Sequence, residues 1–204
     1  MAIFQHQGDL PDDVDLGSII AVDSETMGLL PHRDRLCLIQ LSSGDGNAHL
    51  VKFDGKKYDA PNLVRQLSDS DRLKLFHFGR FDIAVIEHYL GVTCAPVYCT
   101  KIASRLVRTY TDRHGLKNLC QELLGIDISK QQQSSDWGAE ELSDAQMEYA
   151  ASDVLYLHDL KNCLDEMLER EGRQEFAHRC FEFLPVRAKL DLSGWMDTDI
   201  FAHS

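Results

Sequence analysis

The sequence has no long hydrophobic run. No stretch approaches the ~18 apolar residues that a membrane helix needs. The N-terminus, Met-Ala-Ile-Phe-Gln-His-Gln-Gly-Asp-Leu, lacks the basic and apolar blocks of a secretory signal. A cytoplasmic protein with no membrane partner is therefore expected. Cysteine is sparse and scattered, with six residues at 37, 94, 99, 120, 163 and 180. Only Cys94 and Cys99 lie close together, and no second pair stands at zinc-ligand spacing, so reduced, buried thiols are expected. Positive charge is also short: 21 Lys and Arg face 33 Asp and Glu, a net charge of −12. A surface of that sign argues against a tight grip on long nucleic acid. It leaves room for a short phosphorylated ligand bound through metal ions. Internal repeats and low-complexity segments are absent.

What is there suits one domain. A chain of 204 residues, 44% hydrophobic, can build one sizeable core and is marginal for two. Ile19–Asp23 reads as a strand, Leu36–Ser42 as a second and Ala48–Phe53 as a third, separated by turn-rich segments; together they make a meander. Helical spacing then takes over. Pro61 opens a helix to about Leu67. A short strand over Leu73–Phe78 breaks at Gly79 and leads into a helix over Phe81–Leu90. A strand at Val97–Cys99 precedes a helix through Ile102–Val107, and the amphipathic stretch Leu116–Leu124 ends at Gly125. Ser143 and Gln146 stand at capping-box spacing before a long helix that runs to about Glu171. A further helix over Gln174–Phe183 is expected to stop near Pro185. The tail from Leu190, with Trp195 and Phe201, is apolar enough to pack on the body or on a partner. Strands with interleaved helices imply an α/β fold, a mixed sheet flanked by helices, whose ligands gather at the carboxyl ends of strands.

The first strand ends in "IIAVDSETMGLL", with Asp23 and Glu25 one residue apart. Side chains alternate along a strand, so both acids point the same way. Two unit charges ~4 Å apart repel by about 4 kcal/mol at an effective dielectric near 20. A proton, a basic side chain or a divalent cation could relieve them. Asp82 lies in the first turn of a helix, where an acid also complements the helix dipole. Tyr149 and Asp153, four residues apart, share one helix face. Each feature alone has a plain structural explanation. Taken together, four carboxylates converging would suit two Mg²⁺ or Mn²⁺ ions, which take oxygen ligands and bridge phosphate oxygens. The Tyr149 hydroxyl could then orient an attacking water. One basic stretch departs from the average, with Lys101, Arg105, Arg108, Arg113 and Lys117 against the single acid Asp112. It is either a solvated helix face or a surface that receives a phosphate, with Arg105 and Arg108 as candidate contacts.

Four segments carry a resemblance. They are Val-Asp-Ser-Glu-Thr (22–26), Arg-Leu-Cys-Leu-Ile-Gln-Leu (35–41), His-Phe-Gly-Arg-Phe-Asp (77–82) and the run from Ser134 through Leu-Ser-Asp-Ala-Gln-Met-Glu-Tyr-Ala-Ala-Ser-Asp-Val. The chain resembles the DEDDy 3′–5′ exonucleases of the ribonuclease D branch over roughly residues 15–170. The resemblance implies an RNase H-like (DnaQ-like exonuclease) fold. It also implies metal-binding acids at Asp23, Glu25, Asp82 and Asp153, and a water-positioning tyrosine at Tyr149. Leu29 resembles the apolar residue that short-RNA exonucleases wedge against a terminal base. Thr26, Met27, His77, Ser135 and Trp137 lie in or beside the matched motifs as candidate substrate contacts, with core packing the alternative for Trp137.

Ribonuclease D proper continues into helical RNA-binding domains, which are not expected here. Residues 171–204 form instead a helical extension and tail. The pattern resembles the short single-domain form called nano-RNase C. That form degrades very short RNA, dinucleotides above all, and assembles into octamers. The implied activity is metal-dependent release of nucleoside 5′-monophosphates from short oligoribonucleotides. The rivals are trimming of longer RNA, a DNA 3′–5′ exonuclease acting on short DNA, and a catalytically silent binding module.

Overall fold

The computed structural model describes residues 1–129 and 131–203. Among them, no helix is long and apolar enough to cross a membrane. The strands are β1 (Ile3–Gln7), β2 (Ile19–Thr26), β3 (Leu36–Ser42), β4 (Ala48–Lys52), β5 (Leu73–Phe76) and β6 (Val97–Cys99). They form one mixed sheet in the order β1-β4-β3-β2-β5-β6. The expected meander is its centre: β2 pairs antiparallel with β3, and β3 with β4. Every residue of β3 is buried. A central strand covered on both faces should read as a nearly continuous apolar run, and Leu-Cys-Leu-Ile-Gln-Leu does.

Helices cover the sheet: α1 (Pro61–Ser68), α2 (Arg80–Leu90), α3 (Thr100–Val107), α4 (Leu116–Leu119), α5 (Asp144–Leu155), α6 (Leu157–Arg170) and α7 (Gln174–Leu190). A π-helical turn, Cys120–Leu124, continues α4 and ends at Gly125 in the left-handed region (φ 72°). The Ser143 capping box is formed in both directions. The Gln146 amide donates to Ser143 Oγ at 3.3 Å, and the Ser143 amide donates to Gln146 Oε1 at 3.0 Å.

The structure departs from the sequence expectation in three places. Strand β1 was not expected; it adds in parallel to β4 at the sheet edge, where Phe4 and His6 stack on His49. The helix expected from Ser143 to Glu171 breaks at Tyr156 (φ −104°, ψ 0°). The break lets α5 lie along the sheet while α6 packs on α3. Helix α7 runs through Pro185 instead of stopping there. Its buried face, Phe181, Leu184, Pro185 and Ala188, is anchored on α2 and β6, and that packing outweighs the local cost of proline. The tail then turns back. Buried Asp191 accepts from Arg80 Nε at 2.5 Å and pairs with Arg187 at 3.0 Å, while Arg80 also donates to the Met196 carbonyl at 2.6 Å. Phe201 meets Phe183 with ring centroids 5.7 Å apart.

Two details of the sheet position the site. Strand β5 pairs with β2 only over Ile19–Ala21, so Asp23 to Thr26 extend beyond it and leave a notch. The β2–β3 register also shifts between Glu25 and Thr26, a bulge that ends the strand just past the second acid.

Candidate active site

In the β2–β3 register Asp23 faces Gln40 and Glu25 faces Leu38, so these four residues share one face of the sheet. Helix α5 packs across that face, on β2, β3 and β4. Its anchor is a small core of Cys37, Leu38, Leu50, Trp137, Leu142 and Ala150, with Met147 and Tyr149 against it. Seated this way, α5 brings Asp153 to the strand pair. Asp23, Glu25 and Asp153 each offer a carboxylate oxygen, and these atoms lie within 4.8 Å of one another.

Asp82 arrives from the other side. The chain leaves β5 at Phe76 and enters α2 at Arg80, and α2 packs against β2. Ser24 points away from its neighbours Asp23 and Glu25, and its hydroxyl donates to Asp82 Oδ1 at 2.6 Å. Gln40 Nε2 reaches Asp23 Oδ2 at 3.5 Å, the outer limit of a hydrogen bond. His77 is fixed by Thr100. The threonine hydroxyl lies 2.9 Å from His77 Nδ1 and 3.2 Å from the Phe76 carbonyl, and so ties the ring to the end of β5.

The electrostatics of the cluster are severe. Burial raises Asp23 well above the ordinary carboxylate range, and Asp82, Asp153 and Glu25 add to it. Burial, with Asp153 and Asp82, pushes Glu25 up to about 9. Burial lifts Asp82 to about 7 against the hydrogen bond from Ser24, which pulls it down. The Tyr149 phenol is raised by burial first and then by Asp153, Glu25 and Asp23, so it keeps its proton at neutral pH. Hard oxygen donors that repel one another at such short range are the donor set a divalent cation fits, because the ion turns that repulsion into attraction.

Glu25 and Asp82 have folded-state pKa values above the ordinary 4.5 and 3.8. Between the two limits the folded, metal-free protein binds more protons than the unfolded chain. The stability from this source is present below about pH 4 and is lost as pH rises toward about 9. The melting temperature in EDTA should therefore fall between pH 5 and pH 9, and Mn²⁺ should abolish most of the fall; a flat EDTA profile contradicts the cluster's electrostatics.

The acids and Tyr149 line a cavity of about 930 Å³. Thr26, Met27, Leu29, His77, Ser135 and Trp137 line it too. Leu29 is 82% exposed there, whereas Trp137 is 2% exposed and packs in the small core against Tyr149. From the basic stretch, Lys101 and Lys117 reach this cavity. Arg105 lines a neighbouring hollow of about 550 Å³. Arg108, expected as a phosphate contact, lines neither hollow. It is fully buried and ion-paired with Glu122, and its Nη1 donates to the Arg113 carbonyl at 2.8 Å, so it is a structural cation and not a substrate contact. Sequence reasoning also missed Ser24 and Gln40. The register could have found both: Ser24 sits between two acids on the opposite face, and Gln40 faces Asp23.

An RNase H-like sheet carrying this site defines a class. A family profile described as 3′–5′ exonuclease matches residues 10–169, and the chain belongs to that family. Among solved structures, it is similar over its full length to Brucella melitensis NrnC with bound Mg²⁺ (56% identity, all of both chains, TM-score 0.96). It is equally similar to Brucella melitensis NrnC bound to pGG (57% identity, all of both chains, TM-score 0.97). Escherichia coli RNase D, described as an exoribonuclease involved in structured RNA processing, aligns with 26% identity and TM-score 0.74 over 84% of this chain and 45% of its own. Ribonuclease D of Gluconacetobacter diazotrophicus is 34% identical over 157 residues, 77% of this chain and 39% of that protein. The chain thus spans well under half the length of the ribonuclease D relatives it matches.

Proposed function

We propose that this protein is a metal-dependent 3′–5′ exoribonuclease that degrades short oligoribonucleotides, dinucleotides especially, to nucleoside 5′-monophosphates. The observation that carries the reading is the meeting of Asp23, Glu25, Asp82 and Asp153 with the Tyr149 phenol at one cavity. Similarity to a structure with bound pGG supports a short RNA substrate. A cavity of about 930 Å³ is near the upper end of small-ligand pockets, ~300–1,000 Å³, and suits a ligand of a few nucleotides.

The chain's residues divide the work. Asp23, Glu25 and Asp153 would hold one Mg²⁺ or Mn²⁺, and Asp82 would share in a second. Bound divalent cations would supply charge neutralisation at the phosphate and a more acidic bound water. Ser24 keeps Asp82 oriented through its hydrogen bond. Tyr149, protonated and one helical turn from Asp153, orients the attacking water and is too weak an acid to serve as its base. Lys101 and Lys117 at the cavity wall receive phosphate charge, and Leu29 contacts a base. By resemblance, one 3′–5′ exonuclease domain with its helical extension works as a cytoplasmic homo-oligomer, an octamer.

The test is turnover of a 5′-labelled dinucleotide with Mg²⁺, with Mn²⁺ and with excess EDTA, beside a length series of RNA and DNA. The dinucleotide should be cleaved fastest, with no activity in EDTA. Undiminished activity in EDTA would reject the mechanism, and equal rates on a long strand would reject the short-substrate reading.

A further inference from the structure

Among the described residues, Phe78 is the sole non-glycine with a positive φ, at 67°. Bulky L-residues rarely adopt that conformation, and where they do the strain clusters at ligand sites. The next residue shows how tight the turn is. A Cβ on Gly79 would lie 2.5 Å from Phe76 Cβ, so glycine stands where space demands it. Phenylalanine stands where the backbone conformation favours glycine.

Packing does not explain the exception. Phe78 is 47% exposed, so the ring is not held there by the core. It forms part of the wall between two hollows. One, of about 930 Å³, holds the carboxylate cluster; the other, of about 550 Å³, is lined by Ile102 and Phe183 with Arg105 and Arg187. The Lys101 ammonium lies 4.2 Å from the ring centroid, a cation–π contact that covers one face.

We infer that Phe78 is a stacking platform for one nucleobase of the substrate, with Lys101 behind the ring and beside the phosphate path. The inference rests on the proposed activity and adds a base-binding residue to it. A strained, half-open aromatic next to a phosphate-handling cluster has the chemistry of a base contact. Every nucleobase has a π-face, so such a contact holds a short strand without reading its sequence. Neither Leu29 nor Trp137 duplicates it: the first is aliphatic and the second is buried.

The test is equilibrium binding of a dinucleotide analogue with a non-hydrolysable phosphonate bridge, carrying 2-aminopurine at one position or the other. Stacking quenches 2-aminopurine fluorescence. Wild type should quench one of the two positions more strongly. Phe78→Asn accepts the left-handed backbone; it should weaken binding about tenfold and lose that quenching, with a melting temperature no lower than wild type. Phe78→Trp should restore both signals. Wild-type affinity in Phe78→Asn, or no recovery in Phe78→Trp, overturns the inference while the proposed activity stands. Unchanged quenching with a changed particle mass also overturns it and places Phe78 at a contact between copies. Wild type that neither binds nor cleaves the dinucleotide removes the functional reading, and this inference with it.

Discussion

Asp23→Asn should reduce dinucleotide hydrolysis on the order of a thousandfold or more and, in EDTA at pH 8, make the protein more stable. The two effects have one cause. Asp23 sits at the centre of the cluster, raised by burial and by three neighbouring carboxylates. Asparagine keeps its shape and its contact with Gln40 but carries no charge. A cation loses a hard anionic ligand, and transition-state stabilisation of several kcal/mol goes with it, at ~1.4 kcal/mol per factor of ten. The metal-free fold meanwhile sheds a group that it can accommodate only by protonating it. The gain in melting temperature should shrink as pH falls, because protonating the raised wild-type carboxyl then costs less. Activity assays and thermal melts across pH check both halves. A variant that is inactive because it is unfolded would melt lower, so the sign of the stability change separates the explanations.

Tyr149→Phe should lower kcat about a hundredfold while leaving Mn²⁺ binding near wild type. The phenol is half-buried, tilts against Trp137 at 5.9 Å between ring centroids, and projects from the same helix face as Asp153. Phenylalanine retains the packing and removes only the hydroxyl. A group that positions or relays a proton contributes roughly 10²–10⁴-fold. Because the phenol is raised above its ordinary value of 10.0, no alkaline limb near neutrality should belong to Tyr149, and Tyr149→Phe should shift the height of the pH–rate profile more than its shape. A variant with full kcat would show that the water is held by other groups.

Much of the candidate site was legible in the sequence because its signals are local. Asp23 and Glu25 declare a shared face through strand alternation, and Tyr149 and Asp153 do so through a four-residue helical step. Ser143 and Gln146 marked the start of α5, which fixes the height of Tyr149 and Asp153 above the sheet. The mixed sheet with its antiparallel meander followed from the spacing of apolar runs. What was not legible depends on contacts distant in sequence. Arg108 looked like an anion contact until Glu122, fourteen residues on, took its charge. Asp82 looked like a helix-dipole acid; its place depends on β5 being short enough to leave a notch beside β2. Pro185 reads as a stop, but α7 is held by its buried face. Strand β1 is edge-paired and only partly apolar, so it carries little periodic signal. Phe78 left no trace at all, since neither composition nor spacing encodes a left-handed phenylalanine.

The proposed activity requires acids from three separate parts of the chain to tolerate one another around divalent cations. Its most direct test is Mn²⁺ binding to wild type and Asp23→Asn side by side, followed by electron paramagnetic resonance in the absence of substrate. Saturable binding to wild type, and loss of the tightest site in the variant, is the predicted result. Identical Mn²⁺ isotherms for the two proteins would contradict it.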